Sequence, residues 1–269
     1  MIRAVQPAVV AHRGASAYRA EHTVAAYALA LEQGADGLEC DVRLTRDGHL
    51  VCVHDRTVNR TSTGRGVVST LTLERMSELD YASWHPEMPD SADDLVLDRA
   101  PETGERGVLT LESLLDLVVD SPGTKLFVET KHPVRYGGLV EMKLIALLNR
   151  YGLANPLSKE DSQIVMMSFS AIAVRRFRQH SATVPTVLLQ SILTPIRRDG
   201  TLPRSADLTG PGIRILREDP DYVARAAAFG HETYAWTVDE PADIELCRRL
   251  GVRYLATNAP AATRAQLNT

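Results

Sequence analysis

The chain has 269 residues, of which 44% are hydrophobic and 24% charged, and its formal net charge is −4; this suits one α/β domain with a sizeable core and excludes a protein held to nucleic acid or an anionic membrane by its overall field. Cys40, Cys52 and Cys247 are odd in number and match no zinc spacing, which points to reduced, buried residues. No run approaches the ~18 apolar residues of a membrane span, and the apolar stretch Ala8 to Ala11 is too short for a secretory leader, so a cytoplasmic protein without stable membrane insertion is expected.

Ala8 to His12 reads as a first strand, after which Thr23 caps a helix from Val24 to Gln33 that stops at Gly34. A second strand covers Gly37 to Val42. Asp47-Gly48 signals a tight turn, and Leu50 to His54 returns as a short strand, a hairpin-like excursion from the end of the second strand. From about Arg56 to Thr110 the alternation breaks. A weak helix over Leu73 to Leu79 and a Pro/Asp-rich stretch from His85 to Gly107 predict an insertion over one face, without a core of its own. Thr110 caps a helix over Leu111 to Val119.

Alternation resumes with strand Lys125 to Glu129, helix Leu139 to Arg150, strand Gln163 to Phe169, and helix Ala171 to Gln179 capped by Ser170. Strand Val184 to Gln190 follows. Ser191 to Arg217 is poorly punctuated and is expected to hold one strand. Asp219-Pro220 opens a helix that closes at Gly230. The chain ends with strand Thr233 to Val238, helix Pro241 to Leu250 closed by Gly251, strand Arg253 to Thr257 and a short helix from Pro260. Repeated strand–helix units mean a parallel sheet with right-handed crossovers. Eight of them fit a (β/α)8 TIM barrel, read as one domain over 1–269 with an insertion at about 56–110. An open doubly wound sheet is the alternative; no Gly-x-Gly-x-x-Gly follows the first strand, which weakens its dinucleotide-binding version.

The notable polar residues fall at strand ends: His12 and Arg13, Glu39 and Asp41, His54, Glu129 and Lys131, Trp236, and Asn258. In a (β/α)8 barrel these ends share the face that carries active sites. Period-2 geometry turns Glu39 and Asp41 to one side of their strand, with Leu38, Cys40 and Val42 on the other. Each acid by itself could be a structural partner of a nearby base. Three converging acids would repel one another unless a cation neutralises them, and hard oxygen ligands favour Ca²⁺, Mg²⁺ or Mn²⁺ over zinc. A lone histidine is usually structural, but His12 and His54 both lie at strand ends beside charged residues. Two imidazoles could remove a proton on one side of a phosphodiester and donate one on the other. Arg13 and Lys131 would then hold the phosphate.

The runs His12-Arg13-Gly14, Glu21-His22-Thr23, Gly34 through Val42, Thr45 through Asp55 and Arg60 through Gly64 resemble the glycerophosphodiester phosphodiesterase family. The similarity continues at Val128-Glu129-Thr130-Lys131, Met167-Ser168-Phe169, Trp236-Thr237-Val238 and Thr257-Asn258, in the family's order. The resemblance implies a barrel that hydrolyses glycerophosphodiesters to glycerol 3-phosphate and an alcohol. It implies His12 and His54 as acid/base catalysts and Glu39, Asp41 and Glu129 as ligands of one divalent cation, Ca²⁺ or Mg²⁺. It places Arg13 and Lys131 at the phosphate and Phe169 and Trp236 near the glycerol part. It equates 56–110 with the family's inserted subdomain, expected to line the side where the alcohol leaves. The chain departs from the common Pro-Glu-Asn-Thr motif in having Ala20-Glu21-His22-Thr23, which leaves open whether His22 bonds locally or is exposed.

Three other functions compete. A sphingomyelinase/phospholipase D-like enzyme shares barrel and histidines, but such proteins are typically secreted and disulfide-bonded. A Schiff-base lyase would use Lys131 as nucleophile, which the surrounding acids disfavour because they raise a lysine pKa. A non-catalytic binding barrel would be expected to have lost one of the two histidines or three acids. The expected partner is a small glycerophosphodiester, with no nucleic acid; oligomeric state is not legible in the sequence.

Overall fold

The computed structural model describes residues 6–85 and 106–269. The strand–helix units run β1 (Ala8–His12), α1 (Val24–Glu32), β2 (Gly37–Leu44), β3 (Leu50–Cys52), α2 (Leu73–Ser77), α3 (Leu111–Val119), β4 (Lys125–Thr130) and α4 (Leu139–Arg150). They continue through β5 (Ile164–Ser168), α5 (Ala171–His180), β6 (Thr186–Gln190), β7 (Leu208–Pro211), α6 (Ile213–Glu218) and α7 (Tyr222–Ala228). The last are β8 (Tyr234–Ala235), α8 (Pro241–Leu250), β9 (Tyr254–Thr257) and α9 (Pro260–Leu267).

The sheet order is β7-β6-β5-β4-β2-β1-β9-β8, with β3 off this path against β2. All neighbours on the path pair in parallel, whereas β3 is antiparallel to β2. Parallel bridges Thr209–Thr233 and Gly212–Trp236 bring β7 to β8 and close the seam. The result is the expected eight-stranded parallel barrel with β3 as a hairpin excursion.

Alternation along the strands sorts the core into two zones. Outward residues of β2, Leu38, Cys40, Val42 and Leu44, pack with Leu114, Leu115, Val118 and Leu144 of the surrounding helices. Inward residues from seven strands, among them Val10, Phe127, Val165, Val187 and Tyr234, fill the barrel. Phe127 sits 5.1 Å from Tyr234 and 5.0 Å from Tyr254, centroid to centroid, so an aromatic plug floors the pocket above it. Cys40, Cys52 and Cys247 are buried and unbridged. Among the described residues no helix is long and apolar enough to cross a membrane.

Differences from the sequence expectations cluster where the pattern was weakest. Between Ser191 and Arg217 the single expected strand is β7, but it is joined by a 3-10 turn at Pro195–Arg197 and by α6. β7 is short and carries Gly210, where an added Cβ would approach Val187 and Leu189 of β6 to 2.8 and 2.7 Å. Close strand contact therefore replaces the apolar signature of an ordinary strand. The strand expected over Thr233 to Val238 keeps only Tyr234 and Ala235 as ladder residues. Asp219 does not cap the helix after Pro220. It pairs with Arg225, and the helix starts later, at Tyr222. In the insertion, Thr72 caps α2, and Val58, Val68, Met76, Leu79 and Tyr81 form a small apolar cluster with Val51 and Val53. Most of the Pro/Asp-rich stretch lies outside the described residues.

Candidate active site

The turn after β1 sets the site. Arg13 has φ 63°, Gly14 has φ 85°, and a Cβ on Gly14 would lie 2.7 Å from Ala26 of α1. Only glycine lets the chain reverse this close to the helix, which holds His12 and Arg13 together at the barrel mouth. Register completes the cluster: His12 lies opposite Glu39, and Asp41 opposite Glu129. Ligand oxygens of Glu39, Asp41 and Glu129 fall within 4.8 Å of one another, and all three residues are buried.

Charge is unevenly distributed over these acids. Asp41 receives the ion pairs: Arg13 Nε at 3.0 Å, Lys131 Nζ at 3.1 Å and His22 Nε2 at 3.0 Å. Burial alone would raise its pKa, but the His22 hydrogen bond and the Lys131 and Arg13 charges hold it well below the usual carboxylate range. Glu39 accepts from the Arg13 backbone N–H at 3.1 Å, and burial with the Asp41 charge pushes its carboxyl well up. Glu129 pairs with Lys131 at 2.9 Å, yet burial and Asp41 raise it to about 8. Were all three ionised, the acids would outnumber the charges of Arg13 and Lys131 by one, and burial with the Asp41 charge pushes Glu39 and Glu129 towards the neutral form instead. Hard oxygen donors, mutual proximity and this excess of acids fit a divalent cation. A cation there would make the mouth net positive, as an anionic diester needs.

His12 and His54 sit in different hydrogen-bond frames. His12 Nδ1 meets Asn258 Oδ1 at 2.8 Å. Asn258 in turn donates its amide N–H to Asp239 Oδ2 at 2.6 Å and accepts from Ser16 Oγ at 2.8 Å. Because Asp239 takes the amide nitrogen, the amide oxygen faces His12, which assigns the proton to Nδ1 and leaves Nε2 with its lone pair. Burial, then the Arg13 charge, lowers the His12 pKa to about 4. His54 Nδ1 is 2.8 Å from Asp55 Oδ1. Hydrogen bonding from Arg60 keeps Asp55 ionised, with a pKa of about 2. Arg60 also clamps Glu21 through both oxygens at 2.8 Å, and Arg13 reaches the same Glu21 at 3.2 Å. Burial lowers the His54 pKa as well.

The two histidines, Arg13, Lys131, Glu39 and Glu129 line one pocket of about 210 Å³ with Phe169 and Trp236. Phe169 and Trp236 meet edge to face at 5.3 Å and 88°, and Trp236 is fixed by its indole N–H donating to Gly210 O at 2.8 Å. Asp41 lies just beneath, reached through Arg13 and Lys131. Lys131 is tied by anions; burial would lower its pKa, but Asp41 and Glu129 outweigh that and raise it. This is the opposite of what a Schiff-base nucleophile needs.

His22, left open by the sequence, is buried and structural to the site. Its Nε2 meets Asp41, its Nδ1 meets the Tyr27 hydroxyl at 2.8 Å, and that hydroxyl donates to Glu39 O at 2.9 Å. Its backbone is left-handed, with a φ of 61°. Ser16, Tyr27 and Asp239 carry no signal in the sequence pattern; Asp239 falls between the expected strand to Val238 and the helix from Pro241, and its link to His12 needs Asn258 from another strand end.

Comparison with known proteins bears on the family and the fold. Residues 12–262 match the glycerophosphoryl diester phosphodiesterase family. A Mycobacterium tuberculosis protein named "Probable glycerophosphodiester phosphodiesterase 1" is 51% identical over 99% of this chain and 94% of its own. A Bacillus subtilis glycerophosphodiester phosphodiesterase is 33% identical over 93% of this chain and 83% of its own. Among solved structures, an Oleispira antarctica phosphodiesterase in complex with the product sn-glycerol-3-phosphate superposes with a TM-score of 0.82 at 20% identity, covering 98% of both chains. An Agrobacterium tumefaciens glycerophosphodiester phosphodiesterase does so at 0.73 and 22%, over 96% of this chain and 99% of that one. The fold and site define a phosphodiesterase-type (β/α)8 barrel. The chain belongs to the glycerophosphoryl diester phosphodiesterase family.

Proposed function

We propose that this chain hydrolyses glycerophosphodiesters to glycerol 3-phosphate and an alcohol. His12 and His54 act as the acid/base pair, and one divalent cation, Ca²⁺ or Mg²⁺, is held by Glu39, Asp41 and Glu129. The observation that carries the reading is the sharing of one pocket by two differently framed histidines, two cations and the buried acids Glu39 and Glu129, with Asp41 within 4.8 Å of them, in a chain of this family. When bound, the cation offsets the acid cluster and polarises a phosphoryl oxygen.

The chain's own groups divide the remaining work. Arg13 and Lys131 hold the non-bridging phosphate oxygens, and Phe169 with Trp236 forms the wall against the glycerol carbons. His12, neutral and with Nε2 free, takes the proton from the attacking oxygen. His54, backed by the Asp55 carboxylate, gives a proton to the departing alkoxide. The attacking oxygen in our reading is the substrate's own neighbouring hydroxyl, whose effective concentration at phosphorus is high. Its O–P bond forms as the alcohol leaves, and the cyclic phosphate is then opened by water with the histidine roles reversed.

A coupled glycerol 3-phosphate assay over a panel of glycerophosphodiesters, with and without chelator, tests the activity. Product with added Ca²⁺ or Mg²⁺ and none after chelation is expected; silence across the panel with metal present would refute the activity. An analogue lacking the neighbouring hydroxyl should bind without releasing its alcohol, and brisk hydrolysis of it would instead assign the attack to water.

A further inference from the structure

Beside the catalytic pocket lies a second cavity of about 440 Å³, between the β2–β3 excursion, the insertion and the β4–α4 loop. Three guanidinium groups line it, Arg43, Arg56 and Arg135, with apolar wall from Leu44, Val67 and Val134. Among the described residues no carboxylate lines it. We propose that this cavity is an anion subsite for the alcohol side of the substrate. It takes glycerophosphodiesters whose leaving alcohol carries a further phosphate. The assignment to an alcohol side rests on the function proposed above.

The arginines differ in kind from Arg13 of the catalytic pocket and from Arg60 beside it. Arg13 and Arg60 are neutralised by Asp41, Glu21 and Asp55. Arg43 instead donates twice to the backbone carbonyl of His54, at 3.0 and 2.8 Å, and feels Asp41, Glu129 and Asp55 only at longer range. Arg135 lies over the Tyr136 ring at 5.3 Å from its centroid, which orients the guanidinium without discharging it. Arg56 makes no ion pair among the described residues. Three cations facing one concavity repel one another and are relieved by an anion.

Position ties the cavity to the reaction. Arg43 grips the backbone of His54, Arg56 follows His54 by two residues, and Pro133 of the lining follows Lys131 by two. The cavity therefore opens on the insertion side, next to the histidine that we assign to the leaving alcohol. Its apolar wall requires a ligand with a carbon frame, not a bare ion. A phosphorylated polyol satisfies both walls. A choline or ethanolamine head would bring a positive charge towards three others and is disfavoured.

The test compares glycerophosphoglycerol, whose leaving alcohol is neutral, with bis(glycerophospho)glycerol, whose leaving alcohol carries a second phosphodiester. The metal-loaded protein and its Arg56→Ala/Arg135→Ala double variant are assayed at low salt. Wild type should prefer the two-phosphate substrate about tenfold or more in kcat/KM, the scale of one charge-assisted contact. The double variant should lose that preference through KM while glycerophosphoglycerol turnover stays within about twofold, because both side chains are exposed and outside the catalytic set. A parallel fall on both substrates, or an unchanged preference, would overturn the subsite. Calorimetric titration of bis(glycerophospho)glycerol separates this proposal from the activity itself. If neither diester is hydrolysed, the activity fails; weaker binding to the double variant then still supports the subsite, and equal binding overturns it.

Discussion

The two ends of the barrel hold pockets of opposite character. At the strand N-termini lies the larger space, about 750 Å³, lined by Lys125, Lys159, Arg204, Asp207, Glu232 and Arg253 among others. Several of its charges are paired: Asp207 takes both Lys159 and Arg178, and Arg253 meets Glu232. Lys125 donates to the carbonyls of Glu160 and Ser162. At the strand C-termini the pocket holds only about 210 Å³, but burial, with the Asp41 charge beneath, pushes both of its carboxyls up. Size does not separate the two pockets; buried charge does. The same backbone alternation builds both ends, and the difference lies in how deeply the charges are buried.

Metal removal should break this contrast most completely. Exhaustive chelation is expected to abolish turnover, and Ca²⁺ or Mg²⁺ to restore it, while secondary structure by circular dichroism stays unchanged. Full activity after chelation would mean that the acid cluster is a structural network like that at the other end.

Next in size are the histidines. His12→Ala and His54→Ala should each lower kcat by on the order of 10²-fold or more, the scale of general acid–base catalysis. The double variant should lose less than the product of the two. A substrate with a very good leaving group should partly rescue His54→Ala and not His12→Ala; the reverse pattern would exchange the two roles.

His22 probes the support beneath the acids. His22→Ala should weaken metal affinity about 10- to 100-fold, the usual cost of losing a group that orients a ligand, measured by calorimetry on apoprotein. His22→Asn, which restores the family's common residue, should recover much of it by again donating to Asp41.

Asp207 supplies the opposite case. Asp207→Asn should cost about 1–3 kcal/mol of stability, as expected for a partly buried, multiply bonded carboxylate, and leave kcat/KM within about twofold. A large loss of activity without loss of stability would contradict the division between the ends.

The smallest effect is a pH dependence at His12. Its folded pKa of about 4 lies below the usual 6.5, so below pH 6.5 the unfolded chain binds the proton first. The stability that His12 contributes is fully present above about 6.5 and is lost as pH falls towards 4. A divalent cation nearby acts in the same direction. Thermal unfolding between pH 7 and 4 should show a steeper acid loss for wild type than for His12→Gln, and identical slopes would refute a buried neutral imidazole.

Much was legible before any coordinates. Strand ends announced His12, Glu39, Asp41, His54, Glu129 and Lys131, because period-2 alternation and barrel topology together fix which residues share the mouth. Thr23, Thr110 and Ser170 were readable as caps because capping is local, and each side chain accepts the expected backbone N–H. The seam between β7 and β8 was not legible. Gly210 and Pro211 carry no apolar periodicity, and the pairing depends on contact with strands distant in sequence.

The sequence by itself determined the eight-unit alternation, the family, and the residue types that could meet at one face, since these follow from local periodicity and motif order. Only the tertiary structure decided how charge is shared among them. Asp41 takes three partners, Glu129 shares Lys131 with it and Glu39 has no ion pair among the described residues, His22 supports Asp41 instead of facing solvent, and Arg60 holds Glu21 and Asp55 at once. Such couplings join residues on separate elements, Arg60 to Glu21 from the insertion to the turn before α1, Asp239 to His12 through Asn258 across the last strand. Hydrogen bonding of that kind depends on distances of about 3 Å, and a linear pattern specifies which groups are available without specifying which of them come that close.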